Sequence, residues 1–387
     1  MLKDFDIFLS GIWTPIIFLI SLILVIKICE IFNYSYKNSL FLYFWHTLFC
    51  LIYLWFTLNN IADSRAYYSS AISNENLTFN FGTSFIKITT RFFTNLGMSY
   101  LDLFLIHNFI GFIGLLAFAA SVKQATFDKT KNIKLLGLIY ILLPSVSFWS
   151  SSLGKDSIAF MAVGLALWSA INLKKRKIIL IIAILSMFIV RPHIGVTLVI
   201  ATILALIFDK NFNLYTRIAL GTLTLISTAI ILPIMLRYIG LGEVNDINDV
   251  EDYIDKRQSY NMEGGSSLDI SSMSLPMQMF TYLFRPLPFE AHNLFSLLAS
   301  LDNIILVFLF ILGLIAYIKN NSPAIHSNRI FLWSFSILSL IMLATTTANL
   351  GIAMRQKWMF LPCLIFLLLT IIGKKNSSFE ENKIINK

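Results

Sequence analysis

The chain has 387 residues, of which 57% are hydrophobic and only 13% charged, where an ordinary soluble domain carries about 25% charged residues. That balance excludes a water-soluble globular protein. The formal net charge of +9 comes with no basic stripe carrying interleaved aromatics, which argues against a nucleic-acid partner and leaves membrane topology as the reason for the excess lysine.

The apolar runs are continuous and rich in Leu, Ile and Phe, unlike the short segments of alternating polarity that build a transmembrane β-barrel. Inside a lipid bilayer every backbone amide must be satisfied within the protein. The expected fold is therefore an all-α polytopic integral membrane protein, with about 20 residues needed per crossing. In chain order, charged and Pro/Gly/Asn breaks predict eleven spans, near 11–29, 39–61, 100–121, 133–151, 157–173, 178–191, 194–208, 215–238, 302–319, 329–348 and 356–373. The first run has an acidic start and no small-residue cleavage site, so it is expected to be a retained span. Residues 1–373 should form one transmembrane domain, and the polar stretch 374–387 a disordered cytoplasmic tail. Cys29, Cys50 and Cys363 sit in or beside apolar runs without metal-ligand spacing and are expected to be unpaired core or lipid-facing side chains.

With eleven spans, one side of the membrane collects 18 of the 30 cations and five of the 21 acids. Positive-inside then puts the C-terminus in the cytoplasm and the N-terminus outside. The cytoplasmic loops are short. The outer loops, about 62–99 and 239–301, are long and hold segments too polar to span and too apolar to be linkers, Phe79 to Leu96 and Leu275 to Leu298. These are expected to be interfacial or re-entrant helices over a cavity.

The unusual polar residues fall at the outer ends. Asp63-Ser64-Arg65-Ala66-Tyr67 follows the second span, and Leu153-Gly154-Lys155-Asp156 joins the fourth and fifth. Arg191-Pro192-His193 comes next, then Arg285-Pro286-Leu287-Pro288-Phe289-Glu290 with His292 and Asn293, and finally Asn349-Leu350-Gly351 with Arg355 and Lys357. Each has an ordinary explanation. Lys155 and Asp156 can pair locally, Asp63 can cap a helix, His193 can be a satisfied interface histidine, and a single Arg at a span end can snorkel to headgroups. Their coincidence on one face points instead to a shared site, because an ionisable group near hydrocarbon needs a partner or a wet cavity. Arg191, Arg285 and Arg355 with Lys155 suit a diphosphate, since the planar guanidinium binds phosphate bidentately. A sugar hydroxyl attacking such a donor needs a general base, for which Asp63, Asp156, His193 and Glu290 are the candidates. Arg65, Tyr67, His292, Asn293, Asn349 and Lys357 are left as acceptor or sugar contacts. No metal-binding cluster of recognisable spacing and no Gly-rich phosphate loop occurs, so chemistry without metal or other cofactor is expected.

This order of motifs, with Gly264-Gly265-Ser266 between the third and fourth, resembles the Wzy-type O-antigen and capsule repeat-unit polymerases, within the wider group of multi-span lipid-linked glycosyltransferases that includes the O-antigen ligases. The resemblance extends over nearly the whole chain through short motifs. It implies transfer of a growing glycan from undecaprenyl pyrophosphate onto an incoming lipid-linked repeat unit, at the periplasmic face of the bacterial inner membrane. It implies a flippase and a chain-length regulator as partners. One departure is the outer loop 239–301, which lacks a matched pair of Arg-rich motifs; Arg257 stands alone there. The rival readings are a ligase, which differs only in acceptor, and a transporter, which would line a path through mid-membrane with charge.

Overall fold

The computed structural model describes residues 11–73, 75–208, 215, 218, 222, 267–270, 272–291 and 294–373. Among these the regular elements are helices, and an isolated antiparallel bridge pairs Ser267 with Asn349. Six helices are long and apolar enough to cross a membrane, or seven if one pair bent by 63° forms a single span. This is an all-α membrane protein. Nearly all of the span expected near 215–238, the tail 374–387, and His292, Asn293, Arg257 and Gly264-Gly265-Ser266 lie outside the described residues.

The chain divides into two compact units, Met1–Arg191 with Leu312–Ser327 and Leu368–Lys387, and Pro192–Ile311 with Asn328–Leu367. In the first, α1 (Trp13–Ile31) and α2 (Tyr36–Asn59) lead through the short α3 (Asp63–Ile72) and α4 (Thr83–Asn95) to α5 (Tyr100–Ala125). Then come α6 (Lys131–Ile141), α7 (Pro144–Ser150), α8 (Lys155–Ile171) and α9 (Leu173–Val190). α5 is the axis of this unit and packs most extensively on α8. The two backbones meet closely at Gly114 and Gly164, where a Cβ on either would strike main-chain atoms of the other helix. Small residues allow this approach where lipid supplies no hydrophobic drive between helices. α1 is the opposite case: Leu19, Ile20, Ile23 and Ile26 are about half exposed, a lipid-facing surface.

α5 starts where its sequence says it should. Ser99 and Asp102 form a capping box, the Ser99 N–H donating to Asp102 Oδ2 at 2.8 Å, and the Thr14 hydroxyl donates to the other carboxylate oxygen at 2.5 Å. The expected span 133–151 is broken into α6 and α7 at Leu142–Leu143, with Pro144 opening α7, a position that needs no amide hydrogen. Deep in the unit, His46 bonds Asn108 at 2.6 Å and Ser150 at 2.9 Å, and the Asn108 amide donates to Thr47 at 2.9 Å. This satisfied network fixes α2, α5 and α7 against one another.

The second unit contains α10 (Pro192–Ile207), α11 (Leu275–Phe284), a 3-10 turn (Pro288–Glu290), most of α12 (Leu294–Ile318), α13 (Arg329–Thr346), the short α14 (Leu350–Gln356) with a 3-10 turn (Lys357–Met359), and the start of α15 (Leu361–Ile371). α10 and α11 both pack on α13. α12 begins at Leu294, where the expected span began near 302. The Asp302 and Asn303 side chains are buried, at 3% and 0% exposure, and lie within the helix. The two outer-loop helices are α4 and α11, each shorter than a crossing. All three cysteines are unpaired and buried.

Candidate functional site

In the first unit the expected residues gather around the turn at Leu153-Gly154. Leu153 is held in an apolar cluster with Tyr53, Tyr68, Tyr100 and Phe104. Gly154 adopts φ +149° and ψ −161°, a region open essentially to glycine alone. A Cβ there would stand 3.0 Å from Cε2 of Tyr67, so the ring of α3 lies directly over the turn. α3 is in turn tied down by Tyr100, whose hydroxyl hydrogen-bonds with Ser64 at 2.9 Å. From beneath, His107 Nδ1 lies 2.7 Å from the Ser157 hydroxyl, which itself donates to the Gly154 carbonyl at 3.0 Å. The turn is thus gripped by an aromatic ring above and a buried histidine below.

That geometry places the first residues of α8. Lys155 donates to the Thr83 hydroxyl at the start of α4, at 3.0 Å. Asp156 turns inward, 6% exposed, and pairs with Arg191 Nη2 at 3.0 Å. Arg191 caps the C-terminal end of α9, where its N–H donates to the Met187 carbonyl at 2.7 Å. α9 is also fastened to α4 by the Gly82 N–H on the Ile189 carbonyl at 2.7 Å. The Arg191 side chain is only 11% exposed, yet its Nε finds no partner among the described residues. Half of the guanidinium edge is therefore used by Asp156 and half is not. Asp63 and Arg65 lie in the first turn of α3, Asp63 exposed and Arg65 half-buried.

Arg91 shows what a fully employed arginine looks like in the same outer segment. It donates to the carbonyls of Ser70, Ala71, Ser73 and Glu75 at 2.7–3.1 Å and closes the C-terminal end of α3. Its role is structural, and the expected site did not include it.

In the second unit Arg285 ends α11 and makes a two-point ion pair with Glu290, Nε to Oε2 at 3.1 Å and Nη2 to Oε1. Glu290 Oε2 also accepts the Leu287 N–H at 2.7 Å, so one carboxylate orders both the turn and the guanidinium it carries. Asn349 caps α14, accepting from the N–H groups of Gly351 at 2.9 Å and Ile352 at 3.2 Å. Arg355 lies in the last turn of that helix and is half-buried. Lys357 is 1% exposed, its ammonium on Asn303 Oδ1 and on the Leu283 carbonyl. His193 is half-buried in the first turn of α10.

The structure thus joins Tyr67, Lys155, Asp156 and Arg191 through one turn in the first unit, and Arg285 with Glu290 in the second. Sequence reasoning missed His107, Asp302 and Asn303. Each is polar inside an apolar run, and a buried polar residue within a span is itself a functional signal. No family model matches the chain, and no curated protein or solved structure matches it either.

Proposed function

We propose that this protein is a glycosyltransferase of the lipid-linked repeat-unit polymerase type. It would use an undecaprenyl pyrophosphate-linked oligosaccharide as donor and act at the periplasmic face of the bacterial inner membrane, with eleven spans, the N-terminus outside and the C-terminus in the cytoplasm. The observation that carries the reading is Arg191, a largely buried guanidinium held by a single carboxylate oxygen with its Nε unpartnered among the described residues. Fixed donors with spare capacity suit an anionic ligand whose charge grows during reaction.

In the reaction the hydroxyl oxygen at the non-reducing end of the acceptor attacks the anomeric carbon of the donor. The new glycosidic C–O bond forms as the anomeric C–O bond to the diphosphate breaks, and undecaprenyl pyrophosphate leaves with the electron pair. The hydroxyl proton passes to a base, for which Asp63, Asp156, His193 and Glu290 are the candidates. Asp156 and Glu290 each pair with an arginine, Arg191 and Arg285 respectively. Lys155 and Arg191 in the first unit, and Arg285 and Arg355 in the second, are the proposed pyrophosphate contacts. Arg65, Tyr67, His292, Asn293 and Asn349 remain the proposed sugar contacts. A flippase that delivers the repeat unit and a chain-length regulator are the proposed partners.

The test is deletion of the gene in its native host, with the surface glycan run on a gel beside rescue by wild type, Arg191→Ala, Arg285→Ala and Arg285→Lys. Collapse of the ladder to a single repeat unit on its lipid acceptor, unrescued by the Ala variants, is the expected result. Arg285→Lys keeps the charge but loses the fork, so its rescue should be at least tenfold below wild type with normal membrane insertion. Polymer that persists on the undecaprenyl carrier identifies a ligase, and an unchanged ladder returns the function to transport.

A further inference from the structure

The backbone on either side of Arg285 is held by one of two buried side chains that are bonded to each other. Two residues before it, the Leu283 carbonyl accepts from the Lys357 ammonium at 3.4 Å. One residue after it, the Pro286 carbonyl accepts from the Asn303 amide at 3.0 Å. Lys357 and Asn303 are themselves bonded, ammonium to Oδ1, and are 1% and 0% exposed. Asp302, 3% exposed and adjacent to Asn303, supplies the opposing charge that acts on the ammonium. The three groups come from α12 and from the turn after α14, far apart in sequence, and meet behind α11.

A lysine buried in this way is costly unless its donors and its charge are all met. Here a carbonyl and an amide oxygen accept two of its three donors, and a carboxylate supplies the opposing charge. An apolar side chain of equal size would fill the same space without that cost, so packing alone does not account for a lysine here. What the ammonium adds is a fixed point for the last turn of α11, while Asn303 fixes the residue after Arg285. Glu290 then sets the side chain's direction from the front. Arg285 is thereby restrained at the backbone before it, the backbone after it and the guanidinium.

We infer that Lys357 and Asn303 are positioning residues for Arg285, a latch that fixes the turn from which this guanidinium is presented to a pyrophosphate. This role replaces the direct sugar contact expected of Lys357 from sequence, and its functional half rests on the reading of Arg285 as a pyrophosphate ligand.

Two measurements separate the halves. In the first, the full-length detergent-solubilised protein is treated with phenylglyoxal, which modifies arginine, and the rate is followed at Arg285 by mass spectrometry with Arg65, Arg91 and Arg355 as internal references. Lys357→Met should speed modification of Arg285 severalfold and leave the references within twofold. Equal acceleration at all sites would show general loosening and overturn the latch, as would no change at Arg285. Asn303→Leu releases only the Pro286 side and should give the same selective effect, so the inference stays testable if Lys357→Met fails to fold. Failure of both variants to fold would show a structural role and overturn the latch as a positioning device.

In the second, binding of undecaprenyl pyrophosphate is measured for wild type, Arg285→Ala, Asn303→Leu and their double variant. Each single change should weaken binding about tenfold, and the double no further, because residues acting through one another are not additive. Additive losses would overturn the positioning role. Unchanged binding in Arg285→Ala, with selective phenylglyoxal acceleration intact, would retire the pyrophosphate reading and leave the latch standing.

Discussion

The two units hold their arginines in opposite ways. Arg191 is paired with a carboxylate 35 positions earlier in the chain, at 3.0 Å and with both partners nearly out of solvent. Arg285 is paired with one five positions later, and its turn is then propped from behind by α12 and the segment after α14. In the first case the ion pair itself joins two helices. In the second it orders a single turn, and the Asn303 amide and the buried Lys357 ammonium do the joining. The difference teaches where removal of a charge should be felt: as lost stability in the first unit and as lost alignment in the second.

The sharpest way to break this contrast is Asp156→Ala. It leaves a guanidinium at 11% exposure without its counter-charge, for which the expected cost is about 3–5 kcal/mol. Unfolding in a denaturing detergent titration, followed by the intrinsic tryptophan signal, should show that loss. Adding Arg191→Met should recover most of it, since an apolar pair of similar volume satisfies the buried site as well. If Asp156→Ala unfolds at the wild-type midpoint, the ion pair is not what joins α8 to α9.

Gly154→Ala comes next. The residue sits at φ +149°, with the Tyr67 ring 3.0 Å from where the Cβ would stand, and strain of this kind costs about 1–3 kcal/mol. The same unfolding titration reads it. The loss should be accompanied by faster proteolysis in residues 62–99, because α3 loses the surface on which Tyr67 rests. A stability loss without increased cleavage would mean that the turn strains alone and α3 is held by Tyr100 and Ser64.

How much of this could be read from the sequence depended on whether a residue broke the local pattern. The Gly154 turn was visible because Gly-Lys-Asp interrupts an apolar run, and the Arg-Pro turns because proline ends a helix and removes a donor. α4 and α11 were visible as segments of intermediate polarity. The start of α12 was not: a span was expected from near 302, whereas the fold supplies Asn303 with partners and keeps the Asp302-Asn303 pair buried inside the helix. Arg91 went unrecognised, and Lys357 was expected to contact a sugar. The partners of Arg91 are backbone carbonyls, Lys357 meets one carbonyl and the Asn303 side chain, and no sequence pattern announces which carbonyls the helix ends will leave unpaired. Asn349 illustrates the converse: it was picked for a sugar and is found capping α14, work that occupies its side-chain oxygen.

The smallest expected stability effect belongs to Glu290→Ala, and it is the most informative about chemistry. Arg285 and Glu290 are 23% and 19% exposed, so water can replace much of what each loses, and the expected cost is about 1 kcal/mol. Removing the carboxylate frees two of the five donors of Arg285. If Glu290 merely competes with the ligand for those donors, undecaprenyl pyrophosphate should bind the variant at least as tightly as wild type, with polymer yield unchanged. If it aligns the guanidinium, binding and polymerisation should fall together. Binding kept while polymerisation is lost would make Glu290 the base, since only that role is needed after the donor is already in place. The second outcome is the expected one, because the same oxygen that meets Arg285 Nε also accepts the Leu287 N–H; loss of Glu290 therefore loosens the turn and the side chain together.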